Sequence, residues 1–158
     1  MTRLLVPVPL RWADLDPYGH VNNVAVLGLL EEARIAAFWR HPEEADAPWP
    51  TAVLDSGPGA ATHTFVAATE IEYLAVLGYH REPVTVEMWL GHLGGASIDV
   101  CYQLTVDEGT ERVVHVQART TLVLVDAASG RPRRITPQEH AVWAPYLEDP
   151  VVLRRRRP

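Results

Sequence analysis

The longest apolar stretch of the chain predicts a buried helix. Between Val24 and Trp39, apolar residues occur at almost every helical position, so they cover most of the circumference instead of forming one stripe. Asn22 or Asn23 is expected to cap its N-terminus. The stretch contains charged residues and is short for a membrane span. We therefore expect a central helix that other elements enclose.

Most of the remaining chain alternates between apolar and polar residues with a period of two, which is the pattern of strands. Such segments occur at residues 4–12, 63–74, 83–92, 97–106 and 111–126. Glycine-containing turns separate the last three segments, which predicts an antiparallel meander. Thr136 and Glu139 have the spacing of a capping box, so a short C-terminal helix is expected to begin there.

This order of elements predicts an α+β domain in which one helix packs against an antiparallel sheet. We expect a single domain over residues 1–150 and a basic tail over 151–158. The long connection at 41–62 is a candidate lid or binding loop. One helix cannot cover both faces of a five-stranded sheet. Part of the outer face, or one edge, is therefore expected to meet another subunit.

Composition argues against several classes of function. The formal net charge of -6, with no dominant basic face, argues against a nucleic-acid partner. All 14 basic residues are Arg, which excludes Schiff-base catalysis and a P-loop lysine on this chain. The single cysteine excludes an internal disulfide, and no signal-peptide pattern precedes the first strand. We therefore expect a cytoplasmic protein.

The segment between the first strand and the helix holds the candidate chemistry. Residues 11–23 carry two Asp and one His, and Pro17 and Gly19 favour a tight turn between them. A strand end, this loop and a helix N-terminus therefore meet at one point. Such a point places unbonded backbone N–H groups and the positive end of a helix dipole beside a carboxylate. That combination suits chemistry at a carbonyl group.

Four motifs together carry a family resemblance. They are Arg11-Trp-x-Asp14-x-Asp16-x-x-Gly19-His20-Val21-Asn22-Asn23, Leu30-Glu-Glu-Ala-Arg34, Glu70-Ile-Glu-Tyr73-Leu and Thr136-Pro137. In these residues the chain resembles the hotdog-fold acyl-thioester hydrolases of the 4-hydroxybenzoyl-CoA thioesterase type. Element order and spacing agree over the whole chain apart from the 41–62 loop.

The resemblance implies a hotdog fold: a five-stranded antiparallel sheet wrapped around a long central helix, with a short C-terminal helix. It implies hydrolysis of an acyl-CoA or acyl-carrier-protein thioester by a homodimer or homotetramer. Coenzyme A would enter only as part of the substrate, and no metal or redox cofactor is implied.

The resemblance also assigns roles to residues of the loop. Asp16 is expected to act as the nucleophile or as the general base for water. The backbone N–H near Asn23 is expected to hold the thioester oxygen. His20 matches the His of the long-chain and plant acyl-carrier-protein branches, and Tyr18 stands where the plant enzymes have Asn.

Further residues are candidate substrate contacts. Within the loop they are Tyr18, Gly19, Val21 and Asn22. Gly95, in the Gly94–Gly95 turn, would let a pantetheine arm run beside exposed backbone, although a plain hairpin turn explains it equally. Arg131 and Arg133 are candidate partners for the phosphates of coenzyme A, with solvated Arg as the alternative.

Other polar residues have structural explanations. Asp14 is expected to bond local backbone. Glu31 or Glu32 is expected to pair with Arg11 or Arg34, because a charge in a buried helix needs a partner. Cys101 has no neighbouring His in a motif, and the histidines lack metal-ligand spacing.

Two alternative functions stay open. Hotdog hydratases and dehydratases place His five residues after Asp and have Asn between them, whereas His20 follows Asp16 by four residues. That spacing disfavours a lyase. A non-catalytic acyl-binding protein on the same fold is compatible with the sequence, because a fold does not determine a function.

Overall fold

The computed structural model describes residues 2–40 and 49–154. The strands are β1 (Leu4–Val8), β2 (Thr62–Tyr73), β3 (Val84–Leu93), β4 (Ser97–Glu108) and β5 (Glu111–Asp126). The helices are α1 (Asn23–Phe38) and α2 (Pro137–Trp143), with 3-10 turns at Trp12–Asp14 and Ala144–Tyr146. The first strand ends at Val8, four residues before the predicted end, and Trp12 begins a 3-10 turn. The other four strands and both helices lie where the alternation and the capping patterns predict them.

The five strands form one antiparallel sheet in the order β1-β3-β4-β5-β2. The meander predicted from the turns is therefore confirmed as β3-β4-β5. The first strand and the strand after α1 form the two edges of the sheet. The edge strand β2 pairs with β5 along its whole length and has a register shift between Val66 and Ala68.

The core lies between α1 and one face of the sheet. The buried side of the helix includes Val26, Leu30, Ala33, Ala37 and Phe38. The facing sheet residues are apolar and fully buried: Val86, Met88, Val100, Leu104 and Leu122. Burying apolar area at roughly 25 cal/mol per Å² makes this interface the main source of stability.

The expectation of a long, fully enclosed central helix is not met. The helix α1 has 16 residues, which correspond to about 24 Å. It ends because Trp39 adopts an extended backbone and bridges to Leu54. One side of the helix also remains open in the single chain: Val24 is 70%, Leu27 43% and Ile35 40% exposed. The sheet covers only the other side, so apolar residues all round the helix do not imply burial all round.

The outer face of the sheet is partly covered by the C-terminal segment of residues 148–154. The indole N–H of Trp89 donates to the carbonyl of Asp149, and the amide of Arg154 donates to Glu72. Gly91 leaves room for the crossing, because a Cβ at that position would lie 3.2 Å from Pro150. Residues as far as Arg154 are thus part of the packed domain, while 155–158 lie outside the described residues.

The loop after α1 is attached to the core through its second half. The Thr51 hydroxyl donates to the carbonyl of Ala37, and the indole of Trp143 donates to the carbonyl of Thr51. Trp49 packs partly buried against the same cluster. The first part of this predicted lid, residues 41–48, lies outside the described residues. No helix in the described residues is both long and apolar enough to cross a membrane.

Candidate active site

Asp14 is buried inside the loop and hydrogen-bonds residues at both of its ends. Its carboxylate accepts the Arg11 amide at 2.7 Å and two guanidinium N–H groups of Arg11 at 2.8 and 3.1 Å, as expected of an Asp that bonds local backbone. The carbonyl of Asp14 accepts the amide of Asn22 at 2.8 Å. Asp14 is only 2% exposed. These contacts join the end of the first strand to the start of α1.

Asp16 is held in a tight turn. One carboxylate oxygen, Oδ1, accepts the amides of Tyr18 at 2.8 Å and His20 at 3.0 Å. The Asp16 amide in turn donates to the carbonyl of His20 at 2.7 Å, and Gly19 supplies the left-handed backbone with φ of 78°. Within the described residues the second oxygen, Oδ2, has no hydrogen-bond partner. The carboxylate is therefore fixed by one oxygen and has the other available.

The N-terminus of α1 follows directly. Asn22 is the cap: its side chain accepts the amide of Val24 at 2.8 Å and its carbonyl accepts the amide of Val26 at 3.0 Å. The amides of Asn23 and Ala25 have no acceptor in the part of the chain that the structure describes. Tyr73 approaches from β2, and its hydroxyl donates to the Asn23 carbonyl at 3.2 Å. Two N–H groups at the positive end of the helix dipole are thus available to an oxyanion.

Three grooves meet at the first turn of α1. The loop groove, about 280 Å³, is lined by His20, Val21, Val26, Tyr73, Leu74, Ala75, Val76, Leu77 and Val116. The β1 groove, about 550 Å³, runs between β1 and α1 and includes Val24 and Ala25. The β2 groove, about 520 Å³, runs along the other side of α1 and also begins at Val24. Asp16 is not among the residues that line these three grooves.

The loop groove contains residues whose role the sequence did not reveal. Leu77 accepts the amide of Val21 at 2.8 Å, and Gly78 bridges to His20. Tyr73 was recognised only as part of a motif. Burial raises the pKa of the Tyr73 hydroxyl, which donates to the helix start. A sequence signal for these contacts is limited to the Leu77–Gly78 turn, because the pairing joins segments far apart in the chain.

A profile of the thioesterase-like superfamily matches residues 10–144, which is most of the chain. The chain belongs to the thioesterase-like superfamily. As a member, it is a thioester hydrolase, and the matched stretch includes the whole loop from Arg11 to Asn23 and the C-terminal helix α2. No functionally curated protein matches this thioesterase in sequence.

Solved structures agree with this membership. A proposed thioesterase from Pseudomonas aeruginosa is 28% identical, with a TM-score of 0.68 over 89% of this chain and 98% of that one. A proposed acyl-CoA thioesterase from Xanthomonas campestris is 26% identical, with a TM-score of 0.63 over 84% and 98%. A Thermus thermophilus thioesterase, solved with coenzyme A and zinc, is 26% identical, with a TM-score of 0.67 over 93% and 96%. The sheet and two helices are consistent with the hotdog thioesterase fold.

The structure brings together the loop residues of the predicted site and separates the others from them. Asp16, Tyr18, Gly19, His20, Val21, Asn22 and Asn23 share one turn and one helix start. Tyr18 is 83% exposed, so its ring contacts little within this chain.

Gly95, Arg131 and Arg133 lie at the other end of the sheet. The carbonyl of Gly95 accepts the Ile135 amide, and this region neighbours the start of β2. The helix start lies beside Tyr73, at the end of β2, and the stretch from Phe65 to Tyr73 is roughly 26 Å long at about 3.3 Å per residue. Within one chain these residues cannot share a substrate's reacting end with Asp16.

The guanidinium of Arg133 is already occupied. It donates to the hydroxyl of Thr62 at 2.7 Å, to the carbonyl of Arg134 at 2.8 Å, and through two nitrogens to Glu139 at 2.6 and 2.8 Å. These contacts hold α2 against the sheet, and they weigh against Arg133 as a phosphate ligand. Arg131 is exposed and has no such set of side-chain contacts within the described residues.

The described residues contain no group of three or more His, Cys, Asp or Glu side chains able to hold a metal ion. The burial of Cys101 raises the pKa of its thiol, which accepts the amide of Val151 at 3.5 Å. A protonated thiol under the C-terminal segment is a poor nucleophile.

Proposed function

We propose that this chain hydrolyses an acyl-CoA or acyl-carrier-protein thioester with Asp16 as general base or nucleophile. The observation that carries the proposal is the pairing of two features in adjacent turns. Asp16 is fixed through Oδ1 with Oδ2 available, and the amides of Asn23 and Ala25 are unbonded within the described chain. A free carboxylate oxygen and unbonded helix-terminal amides that reach the same thioester would supply both an attacking group and a site for the oxyanion.

The reaction follows one of two routes from that arrangement. As a base, Asp16 takes a proton from water, and the water oxygen bonds to the carbonyl carbon. As a nucleophile, Oδ2 itself bonds to that carbon and water then hydrolyses the resulting anhydride. On either route the oxygen of the tetrahedral intermediate accepts N–H groups at the start of α1. The C–S bond then breaks, and a thiol with an ordinary pKa of about 8.5 leaves without a strong acid.

Coenzyme A is the thiol carrier that the relatives favour. One similar thioesterase was solved with coenzyme A, and another is described as acting on acyl-CoA. A carrier-protein thioester presents the same pantetheine arm and stays the alternative carrier. In both cases the carrier is part of the substrate, and the reaction needs no further cofactor. A reducing cytoplasm suits a chain whose one cysteine is a buried thiol.

We also propose that the working enzyme is a homodimer or homotetramer. Asp16 does not line the loop groove, the β1 groove or the β2 groove, so a second subunit would complete the substrate site around it. The edge strand β2 offers unpaired backbone groups, and Phe65 and Val66 on it are 55% and 52% exposed. The open side of α1, with Val24 at its start, adds further apolar surface beside that edge.

The first prediction tests Asp16. Asp16→Asn keeps an oxygen able to accept the amides of Tyr18 and His20, but it removes the carboxylate. We expect the kcat of thiol release from a panel of acyl-CoA substrates to fall roughly 10²–10⁴-fold. Asp55→Asn, at an exposed carboxylate near the other end of α1, is the control and should be unchanged.

Unchanged thiol release by Asp16→Asn would remove the assignment. If neither the wild type nor Asp16→Asn releases thiol from any acyl-CoA, and the wild type binds acyl-CoA, the result would favour an acyl-binding protein. Formation of a hydrated or dehydrated acyl thioester would favour the hydratase or dehydratase.

The second prediction tests the backbone donor. Asn23 is the first helical residue, where proline is tolerated, and Asn22 has the extended backbone (ψ 143°) that proline requires before it. Asn23→Pro therefore deletes one N–H with little disturbance of the helix. We expect kcat to fall about 10²–10³-fold. Asn23→Ala keeps the N–H and should stay close to the wild type. Equal kcat values for the two variants would exclude this amide from the oxyanion site.

A further inference from the structure

The loop of residues 11–22, which carries Asp16, is here called the catalytic loop. The segment that supports this loop is itself hydrogen-bonded to strand β5. Residues 74–78, here called the support segment, follow β2, and residues 74–77 form one wall of the loop groove. The segment contacts the catalytic loop at two points: the amide of Val21 donates to the carbonyl of Leu77 at 2.8 Å, and Gly78 bridges to His20. The position of the loop that carries Asp16 therefore depends on where this segment lies.

His115 makes three hydrogen bonds to the support segment from strand β5. Its carbonyl accepts the amides of Leu74 at 2.8 Å and Ala75 at 3.2 Å. Its ring nitrogen Nδ1 lies 2.9 Å from the carbonyl oxygen of Val76. A carbonyl oxygen only accepts, so Nδ1 must carry the proton in this contact. The side chain thus fixes a peptide group of the segment that the backbone of β5 does not bond.

The other nitrogen of the ring makes the presence of a histidine here informative. His115 is 2% exposed, and its Nε2 is buried with no hydrogen-bond partner among the described residues. The nearest acidic group is the half-exposed carboxylate of Glu108, 3.6 Å away. An unpaired buried acceptor destabilises the fold by about 1–3 kcal/mol, and a valine would suit a buried strand position better. The presence of a histidine at this buried position therefore needs an explanation. Its Nδ1–H bond to Val76 provides one.

We infer that His115 is a positioning residue for thioester hydrolysis: it holds the support segment, which in turn holds the loop of Asp16 and His20. The inference rests on the proposed function of Asp16. Two hydrogen bonds make the connection: His115 bonds to Val76, and the next residue along the chain, Leu77, bonds to Val21. His115 touches no reacting atom. A displacement of about 1 Å at a reacting group can lower a rate about 10²-fold, so a distant anchor affects kcat.

Two amide substitutions separate positioning from packing. The side chain of Asn places an N–H near the position of Nδ1, whereas the longer side chain of Gln places it near Nε2. His115→Asn therefore keeps the bond to Val76, and His115→Gln loses this bond although its side chain remains polar.

We expect His115→Gln to lower kcat about 10–100-fold with KM changed less than about threefold. His115→Asn should recover kcat to within about threefold of the wild type. His92→Gln, at an exposed histidine of β3, is the control.

Hydrogen exchange of the Val21 amide gives a second readout that needs no activity. This N–H is bonded to Leu77, so its protection reports whether the support segment still holds the loop. We expect protection to fall in His115→Gln and to persist in His115→Asn. His115→Leu, which also lacks the donor, replaces His115→Gln in both measurements if that variant does not fold.

The outcomes separate the two proposals. Equal kcat and equal Val21 protection in the Asn and Gln variants, even with lowered stability, would show a packing role only and overturn the inference. If the wild type hydrolyses no acyl thioester, the proposed function fails, and the exchange experiment still tests whether His115 positions the loop.

Discussion

Asp14 and Asp16 stand two positions apart and have different surroundings. The pKa of Asp14 is lowered, first by side-chain hydrogen bonds from Arg11 and further by the Arg11 amide. Asp16 receives two backbone amides through one oxygen and keeps the other oxygen unbonded within the described chain. Asp14 and Arg11 are three residues apart, so the bond of Asp14 to local backbone could be predicted, whereas its ion pair with the Arg11 guanidinium was not predicted. The same closeness in sequence explains why the backbone contacts of Asp16 could also be expected.

The third prediction concerns the pH dependence of Asp14. Its folded-state pKa lies below the ordinary value of 3.8, so the ionised form stabilises the fold above that pH. This contribution is lost as the pH falls through the lower folded-state pKa. We expect Asp14→Asn to be less stable than the wild type at pH 7, by about 1–2 kcal/mol. The two stability curves, measured by urea unfolding, should converge in strong acid. A difference that stays constant from pH 7 to strong acid would contradict this role.

The burial of the charged residues on α1 could not be assigned from the sequence. Glu31 was expected to need a partner because it lies in a buried helix, yet its side chain is 60% exposed. Arg34 is the buried member of the pair: it donates to the Tyr102 hydroxyl at 3.1 Å and to Glu31 at 3.4 Å. The pairing was predicted, and the reason for it was wrong. Which side of the helix faces the sheet decides burial, and that is a tertiary property.

At the scale of elements, local sequence signals predicted where helices and strands begin and end better than they predicted which faces are buried. The capping box at α2 formed as its spacing indicates: the hydroxyl of Thr136 accepts the Glu139 amide at 3.2 Å, and Glu139 accepts the Thr136 amide at 2.8 Å. The strand β2 also formed as predicted, but most of its residues are exposed in the single chain. Alternation therefore identified the strand without identifying a buried face.

The fourth prediction concerns the cap of α2. Thr136→Ala removes the hydroxyl that accepts the Glu139 amide, and Thr136→Ser keeps it. We expect the alanine variant to lose about 0.5–2 kcal/mol of stability in chemical denaturation. The serine variant should stay close to the wild type. Because α2 is far from the catalytic loop, kcat should be unchanged in both. Equal stability of the two variants would mean that the Arg133–Glu139 contacts alone hold this helix.

At the scale of the whole molecule, the two edges of the sheet differ. The strand β1 is short, and its alternate residues Leu4, Val6 and Val8 are buried. The strand β2 is longer, exposes Phe65 and Val66, and adjoins the open side of α1. A long exposed edge of this kind invites pairing with another chain. The proposed subunit contact therefore belongs to the β2 edge.

The fifth prediction tests that edge. Val66→Asp places a charge on the β2 edge, and Leu5→Asp places one on β1, where the wild-type side chain is 47% exposed. In sedimentation we expect the wild type and Leu5→Asp to have at least twice the chain mass of 17.6 kDa. Val66→Asp should shift towards the monomer and lose hydrolysis in parallel, because in the proposed assembly a second subunit completes the site. A monomeric wild type with full activity would contradict the proposed assembly.

The sequence by itself determined the elements, their order and the composition of the catalytic loop. Period-two alternation, the apolar run of α1 and the turn around Gly19 can each be recognised from residues that lie close together in the chain. Only the tertiary structure decided what joins residues distant in sequence. It placed His115 behind the support segment, satisfied Arg133 through Glu139 and Thr62, and put Gly95 at the far end of the sheet from Asn23. Those contacts depend on how strands pair and how a helix lies on them, and the residue pattern of any single segment carries no record of that.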